Sequence, residues 1–418
     1  MSATYFIDVG STIIKGVRLN SGTDLVNTFL QRKPGRSISE QAMSVLSKLG
    51  CTDPERDDDI RICSSANGGL SVGLLSLSRK GSGAVALRIL ASAGANVRFH
   101  YVWREAGEVA SAPHVDVLVL AGGIDAFSSK TAHDGIMALR LEPFKYDRLV
   151  YAGHAASVDV ARRRWPGIEI VSNPLSASLI PADRSLGAYT RQTYLDDIES
   201  KKDLQPLRHI SRTPIEPTPS VVSKAFARLQ SRIPSPAIML DIGGATTDLH
   251  FTKEILDDSN MTAGEIATFP AIARHVFTAY GVYDSKASTI DALLHDPLAV
   301  DLLAALYGVE HRIRHQQLVE GQAPERLLFC ASMFLALRAC LEGKDAAPRV
   351  NIGAMASLMI TGGAAKCLDA EDVAATLRVA TGWTPRASVV RDTDYRWWIL
   401  GMMEDGKVTK RIWSAFDA

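Results

Sequence analysis

The sequence predicts a two-lobed α/β protein, and three observations carry that expectation. Two strand–bend–strand stretches of the same grammar occur, one opening each half of the chain. The strand from Val115 carries the uninterrupted apolar run Val117 to Ala121, as expected in a parallel sheet covered by helices on both faces. Strands alternate with helical patterns along much of the remainder.

The second of the paired stretches is the more explicit. The apolar run Ala237 to Leu240 ends in Asp241, and Gly243 and Gly244 follow at once. Ala245-Thr246-Thr247-Asp248 then resumes a strand pattern into Leu249-His250-Phe251. Glycines at such a bend permit a tight turn and a close approach to the backbone. Backbone N–H groups and Thr hydroxyls suit phosphate oxygens, and Asp suits a hard cation, mostly through water. Taken alone, the stretch reads equally well as a Gly-rich hairpin with a capping Asp. The first stretch, Tyr5 to Leu19, repeats the pattern. A strand ends in Asp8, Gly10, Ser11 and Thr12 form the bend, and Lys15 stands at an alternate position of the returning strand. Lysine can reach phosphate as a point charge. Repetition of the device points to an internal duplication and to two bends gripping one phosphate chain.

Size and composition narrow the classes. The chain has 418 residues, enough for two domains, and 46% hydrophobic residues support real cores. Its 46 basic and 46 acidic residues balance, which argues against nucleic acid or an acidic membrane as partner. No apolar run has bilayer length, and Met1-Ser2-Ala3-Thr4 lacks the basic start of a signal peptide, so the expected location is cytoplasmic. The five cysteines show no CxxC spacing, which argues for free thiols rather than a metal cluster.

In chain order, Asp24 to Gln31 supplies a third strand and Ile38 to Leu49 a helix with Ser37 or Ser39 as cap. Arg56 to Asp59 reads as a solvated turn, and the strand Ile60 to Cys63 runs into the bend Ser64 to Leu70. Gly81 to Gly94 is a helix and Val97 to Trp103 a strand. Gly122-Gly123, with Asp125 after them, close the apolar strand where open α/β sheets place ligands. Strands at 148–154 and 168–171 flank a helix from Ala156 to Trp165. Leu186 to Lys202 reads as a polar helix, and Ser220 as the cap of a helix from Val221 to Arg232. Pro234-Ser235-Pro236 marks the expected boundary between lobes 1–235 and 236–418. Beyond it, Thr262 to Tyr280, Lys286 to Tyr307 and Pro324 to Glu342 carry helical patterns. Leu358 to Ala365 is a strand ending in Gly362-Gly363, which either lets an adenosine lie against the backbone or simply turns the chain.

These motifs resemble the actin-like ATPase superfamily of sugar kinases, actin and heat-shock chaperones, an α/β, two-lobed fold of duplicated ribonuclease H-like domains. The phosphate-1 motif resembles Asp8 to Lys15, the phosphate-2 motif Asp241 to Asp248, and the adenosine motif Ile360 to Ala364. Within that superfamily the chain looks most like the MutL family associated with glutamate mutase. That likeness rests on Cys63 to Leu70, Leu120 to Asp125, Val150 to His154, Pro217 to Val222, the Asp241 to His250 stretch and Asp394-Tyr395. The chain departs from the family in Ile13-Ile14, where an aromatic–Thr pair is usual, and in Glu265 to Pro270, where an acidic–glycine segment is usual.

The resemblance implies a Mg-ATP site. Asp8 and Asp241 would hold the metal's water shell. Gly10, Ser11, Thr12, Lys15, Gly243, Gly244, Thr246 and Thr247 would line the phosphates, and Gly362 and Gly363 the adenosine. Asp125 or Asp248 would orient an attacking water or a substrate hydroxyl. It further implies an accessory ATP hydrolase working on a partner enzyme such as a cobalamin-dependent mutase. The alternatives are a small-molecule kinase or acid-activating enzyme of the same fold, and a nucleotide-sensing adaptor without turnover. A dehydratase-type electron-delivering activator is disfavoured, because no suitable cysteine arrangement is visible.

Overall fold

A computed structural model describes residues 3–20, 25–33, 35–55, 59–65, 70–175, 183–200, 204–259, 269–344, 347–383 and 386–404. The turn at 56–58, the bend core at 66–69 and the departure at 265–268 lie outside the described residues. In chain order the strands are β1 (Thr4–Val9), β2 (Ile13–Leu19), β3 (Leu25–Gln31), β4 (Asp59–Ser64) and β5 (Ser71–Ser76). Then come β6 (Asn96–Val102), β7 (Val115–Gly122), β8 (Tyr146–Gly153), β9 (Glu169–Ile170) and β10 (Glu216–Pro217). The last are β11 (Ala237–Ile242), β12 (Thr247–Thr252), β13 (Ile272–Phe277), β14 (Ser357–Gly362) and β15 (Ser388–Arg391).

The chain forms two compact units. Unit one comprises Met1–Asn67, Lys202–Asp257 and Ala271–Ala418; unit two comprises Gly68–Lys201 and Asp258–Pro270. The 235/236 boundary of the sequence reading falls inside unit one, between its two sheets.

Those two sheets have the same topology. One is ordered β10-β4-β1-β2-β3 and the other β13-β12-β11-β14-β15. In each, the central strand (β1 or β11) pairs antiparallel with the next strand, which pairs antiparallel with the third. On its other side the central strand pairs parallel with β4 or β14, and a further parallel strand closes the edge. This is the ribonuclease H-like order, present twice. One core cluster joins the sheets: Phe6, Cys63, Met239 and Met359 pack with Phe226 of the helix Thr218–Leu229 and Trp398 of the helix Trp398–Met402. These two helices touch so closely that a Cβ on Gly401 would overlap the Val221 carbonyl oxygen. The helix Glu325–Glu342 is buried from Leu327 to Leu337, as its apolar sequence predicts, and Cys330 and Cys340 are free thiols within it.

Unit two holds a third sheet, ordered β6-β5-β7-β8-β9 with every pair parallel. Its apolar strands are buried on both faces, as β7 led one to expect. The helix Asp183–Ser200 belongs to this unit.

Three local expectations are corrected. The stretch from Thr262 to Tyr280 is not a continuous helix, because Ile272–Phe277 is β13, paired along its whole length with β12. Edge pairing satisfies its backbone groups where an isolated helix could not bury them. The helix expected from Val221 begins at Thr218 with Pro219 in its first turn, so Ser220 lies inside it and does not cap it. The pattern Lys286 to Tyr307 breaks at Asp296-Pro297 into Lys286–His295 and Ala299–Tyr307, since a proline amide cannot donate within a helix. Among the described residues, no single helix is long and apolar enough to cross a membrane.

Candidate functional site

The two sequence bends are built alike. The Gly10 amide donates to the Ile13 carbonyl (3.0 Å) and the Gly243 amide to the Thr246 carbonyl (2.9 Å), closing four-residue turns. In the first hairpin Asp8 stands directly across from Lys15, and in the second Asp241 stands across from Asp248. The bends meet. A Cβ on Gly244 would lie 2.5 Å from Thr12 Cγ2 and 3.0 Å from Tyr283 Cδ2, so glycine is required for the approach. The loop before the helix Lys286–His295 seats the second bend: the Tyr283 and Asp284 amides donate to the Gly244 carbonyl (2.8 and 3.0 Å), and Ser285 Oγ to the Ala245 carbonyl (2.6 Å). Arg32 holds the first bend by donating to the carbonyls of Gly10 (3.1 Å) and Ser11 (2.8 Å). Ser11 and Thr12 are half-buried, and their hydroxyls have no hydrogen-bond partner among the described residues.

The charged groups divide unevenly between the hairpins. Asp8 is buried and accepts from Thr218 Oγ1 (2.7 Å), while Lys15 Nζ lies 3.2 Å from its other oxygen. Burial works to lower the Lys15 pKa, but Asp8, Asp241 and Asp392 outweigh it and drive the value up, so the ammonium stays charged. Asp241 is pushed up to about 6, first by burial; Lys15 opposes the shift, and Asp248, Asp8 and Asp392 add to it. Asp248 is paired with Arg274, whose Nε lies 2.7 Å from its carboxylate, and receives a long contact from Thr246 Oγ1 (3.4 Å). Thr247 is fully buried and its hydroxyl donates to the Tyr280 carbonyl (2.9 Å), so its hydrogen is already committed. Gly362 ends β14 at φ +73, and a Cβ there would lie 2.4 Å from Asp241 Oδ1 and 2.6 Å from the Ile242 carbonyl oxygen. The Cβ-less edge of Gly363 rests on the Phe329 ring.

Sequence reading missed four members of this cluster. Asp392, just after β15, accepts from Thr361 Oγ1 (3.0 Å) and from the amides of Arg396 (2.7 Å) and Trp397 (3.1 Å). Tyr395, at φ +54, places its ring 5.4 Å from Lys15 Nζ. Thr218 and Arg274 complete the contacts to Asp8 and Asp248. Thr218 and Tyr395 lie in stretches that carry the family likeness, and Asp392 ends a short β-run as Asp8 and Asp241 do; Arg274 had no such signal.

Asp125 belongs to unit two, after β7. Its Oδ1 accepts from the Ala155 amide and from Asn173 Nδ2, both at 2.9 Å. His154 Nδ1 accepts from the Ala156 amide (3.1 Å), which leaves Nε2 as the donor to the Phe127 carbonyl (3.0 Å). A Cβ on Gly123, at φ +86, would strike His154.

Two ribonuclease H-like sheets, each presenting an Asp–Gly bend to the other, define an actin-like fold. The particular family follows from the sequence: the chain belongs to the MutL protein family, whose model matches residues 4–324. Among solved structures, it is similar to the activator of the 2-hydroxyisocaproyl-CoA dehydratase from Clostridium difficile with bound ADPNP, at 10% identity over 96% of this chain and 92% of that one (TM-score 0.34). It is also similar to an ATP-dependent caprolactamase from Pseudomonas jessenii, at 14% identity over 95% and 70% (TM-score 0.38). The PilM-PilN type IV pilus biogenesis complex matches at 12% identity over 99% and 96% (TM-score 0.32). A search of curated proteins finds no match to this chain.

Proposed function

We propose that the paired bends of unit one bind Mg-ATP and that the chain is an ATP hydrolase acting on a partner enzyme. The observation that carries this reading is the contact of two matched Asp–Gly bends around Lys15, with more buried carboxylates than cations to balance them. Among the described residues, no group of three metal-ligating side chains is close enough to encage a cation. Two carboxylates, Asp8 and Asp241, nonetheless fit Mg²⁺, which keeps several waters and commonly takes only one or two protein carboxylates. The ion would neutralise phosphate charge.

The chain's own residues do the rest. Ser11, Thr12 and Thr246 offer hydroxyls, and the amides of both bends offer donors, to the phosphates. Lys15, released from Asp8 as phosphate enters, supplies a fixed positive charge. Gly362 and Gly363 form the turn beside which the adenosine lies. Phosphoryl transfer depends mainly on positioning and charge, so this set suffices for slow hydrolysis. Asp248, steadied by Arg274, orients the attacking water. Family membership supports a cobalamin-dependent mutase as the partner. Asp241→Ala is expected to abolish Mg-ATP binding and turnover; unchanged turnover in that variant rejects the site.

A second reading, a kinase or acid-activating enzyme, is favoured by one observation: Asp125, His154 and Asn173 gather at strand ends in unit two. Turnover stimulated by a metabolite and lost in Asp125→Asn would support it; stimulation by a mutase alone supports the accessory role.

A further inference from the structure

Among the described residues, Tyr395 is the one non-glycine residue at a positive φ, +54. Such a backbone is costly for a bulky side chain and persists only where the surrounding bonds over-determine it. Here they do. The Tyr395 amide donates to the Asp392 carbonyl (3.1 Å), and Trp398 Nε1 donates to the Tyr395 carbonyl (2.7 Å). The Asp392 carboxylate takes the next two amides, those of Arg396 and Trp397, and also Thr361 Oγ1 of β14. Asn27 Nδ2 of β3 donates to the Asp394 carbonyl (2.8 Å). The turn 392–397 is thereby pinned to both sheets of unit one.

That turn delivers one ring to one place. Lys15 and Phe29 are direct partners across β2 and β3, so their side chains share a face of the sheet. Tyr395, only 8% exposed, lies against that pair. Its ring centroid is 5.4 Å from Lys15 Nζ and 6.2 Å from the Phe29 ring, which it meets edge to face at 69°. Lys366, of the short helix Gly363–Cys367 that follows β14, sits over the Phe29 ring at 4.7 Å.

We propose that Tyr395 is the positioning residue of Lys15: its ring holds the ammonium at the paired bends, ready to leave Asp8 for an incoming phosphate. The inference rests on the Mg-ATP reading. An aromatic face attracts an ammonium without occupying its N–H donors. Asp8, 3.2 Å from Nζ, engages the ammonium directly, and the ring leaves the remaining donors free for phosphate oxygens. Without the ring, buried Asp8 would hold Lys15 against the first hairpin, and the phosphates would meet less positive charge.

Steady-state ATP turnover of the full chain tests this with three variants. Tyr395→Asn removes the ring, and asparagine tolerates the left-handed backbone. It should lower kcat about fivefold or more, with KM for ATP changed less than about twofold. Tyr395→Phe keeps the ring face and should bring turnover back close to that of the parent chain. In Lys15→Gln, which keeps a donor for Asp8, adding Tyr395→Asn should lower turnover no further. Unfolding of the same chains without nucleotide reads the contact itself, and a coupling of about fivefold in the unfolding constant is expected between positions 15 and 395. Unchanged kcat in Tyr395→Asn, equal losses in Tyr395→Phe and Tyr395→Asn, an undiminished effect in the Lys15→Gln background, or absence of coupling overturns the proposal. Should Lys15→Gln not fold, the comparison of the two Tyr395 variants decides alone. A parent chain that turns over no ATP rejects the Mg-ATP reading and this role with it, whereas turnover that survives loss of the ring rejects only the role of Tyr395.

Discussion

The two hairpins of unit one share backbone, register and bend, yet differ in charge. In the first, Asp8 faces its own countercharge, Lys15, and a hydroxyl from Thr218. In the second, Asp241 faces another carboxylate, Asp248, whose cation, Arg274, comes from the neighbouring β13. The first hairpin is electrostatically complete; in the second, Asp241 is raised to about 6 and has no hydrogen-bond or ion-pair partner among the described residues. A duplicated scaffold has thus become one satisfied half and one half under electrostatic strain. The strained half is where an incoming cation gains most, as expected where function costs stability.

Lys15→Met breaks the comparison most directly. It strips the satisfied hairpin of its cation and leaves Asp8 buried beside Asp241 and Asp392. Denaturant unfolding should register a loss of about 3–5 kcal/mol, the usual result of removing one partner of a buried pair. Gly362→Ala comes next. The positive φ and the Cβ collisions with Asp241 and Ile242 predict a loss of about 2–4 kcal/mol, measurable by the same titration.

Asp241→Asn sharpens the contrast in the opposite direction. A carboxyl of ordinary pKa 3.8 raised to about 6 binds its proton more tightly in the folded state, so stability falls as pH rises between those values. Above that window the folded protein carries the full penalty. The amide variant should therefore be more stable at pH 7–8 by roughly 1–3 kcal/mol and no different near pH 3, while losing nucleotide binding. Thermal melts across pH check the sign, and a variant less stable than the parent at pH 8 would contradict the charge assignment. Thr218→Val is the mildest. Removing the hydroxyl that donates to Asp8 should cost about 1–2 kcal/mol with Lys15 still in place.

Much of this was legible in the sequence. Each bend is encoded within about ten consecutive residues, where an apolar run, a carboxylate and glycines follow in fixed order, so local rules suffice. Less legible was β13. Its residues Ile272-Ala273-Arg274-His275-Val276-Phe277 carry a mixed pattern that a helix also accommodates, and only the open edge of β12 selects the strand.

The sequence by itself determined the two hairpins, the apolar parallel strand of unit two, the buried helix Glu325–Glu342 and the kinship that follows from the motifs. Only the tertiary structure decided which charges meet. Thr218 reaches Asp8 across 210 residues of chain, Asp392 acts on Lys15 from the far end, and Arg274 neutralises Asp248 from a strand that was read as helix. It also decided that both bends share one compact unit while Asp125 belongs to the other. The physical reason is range. Turn chemistry and strand alternation act between near neighbours in sequence, whereas burial and Coulomb interactions depend only on separation in space.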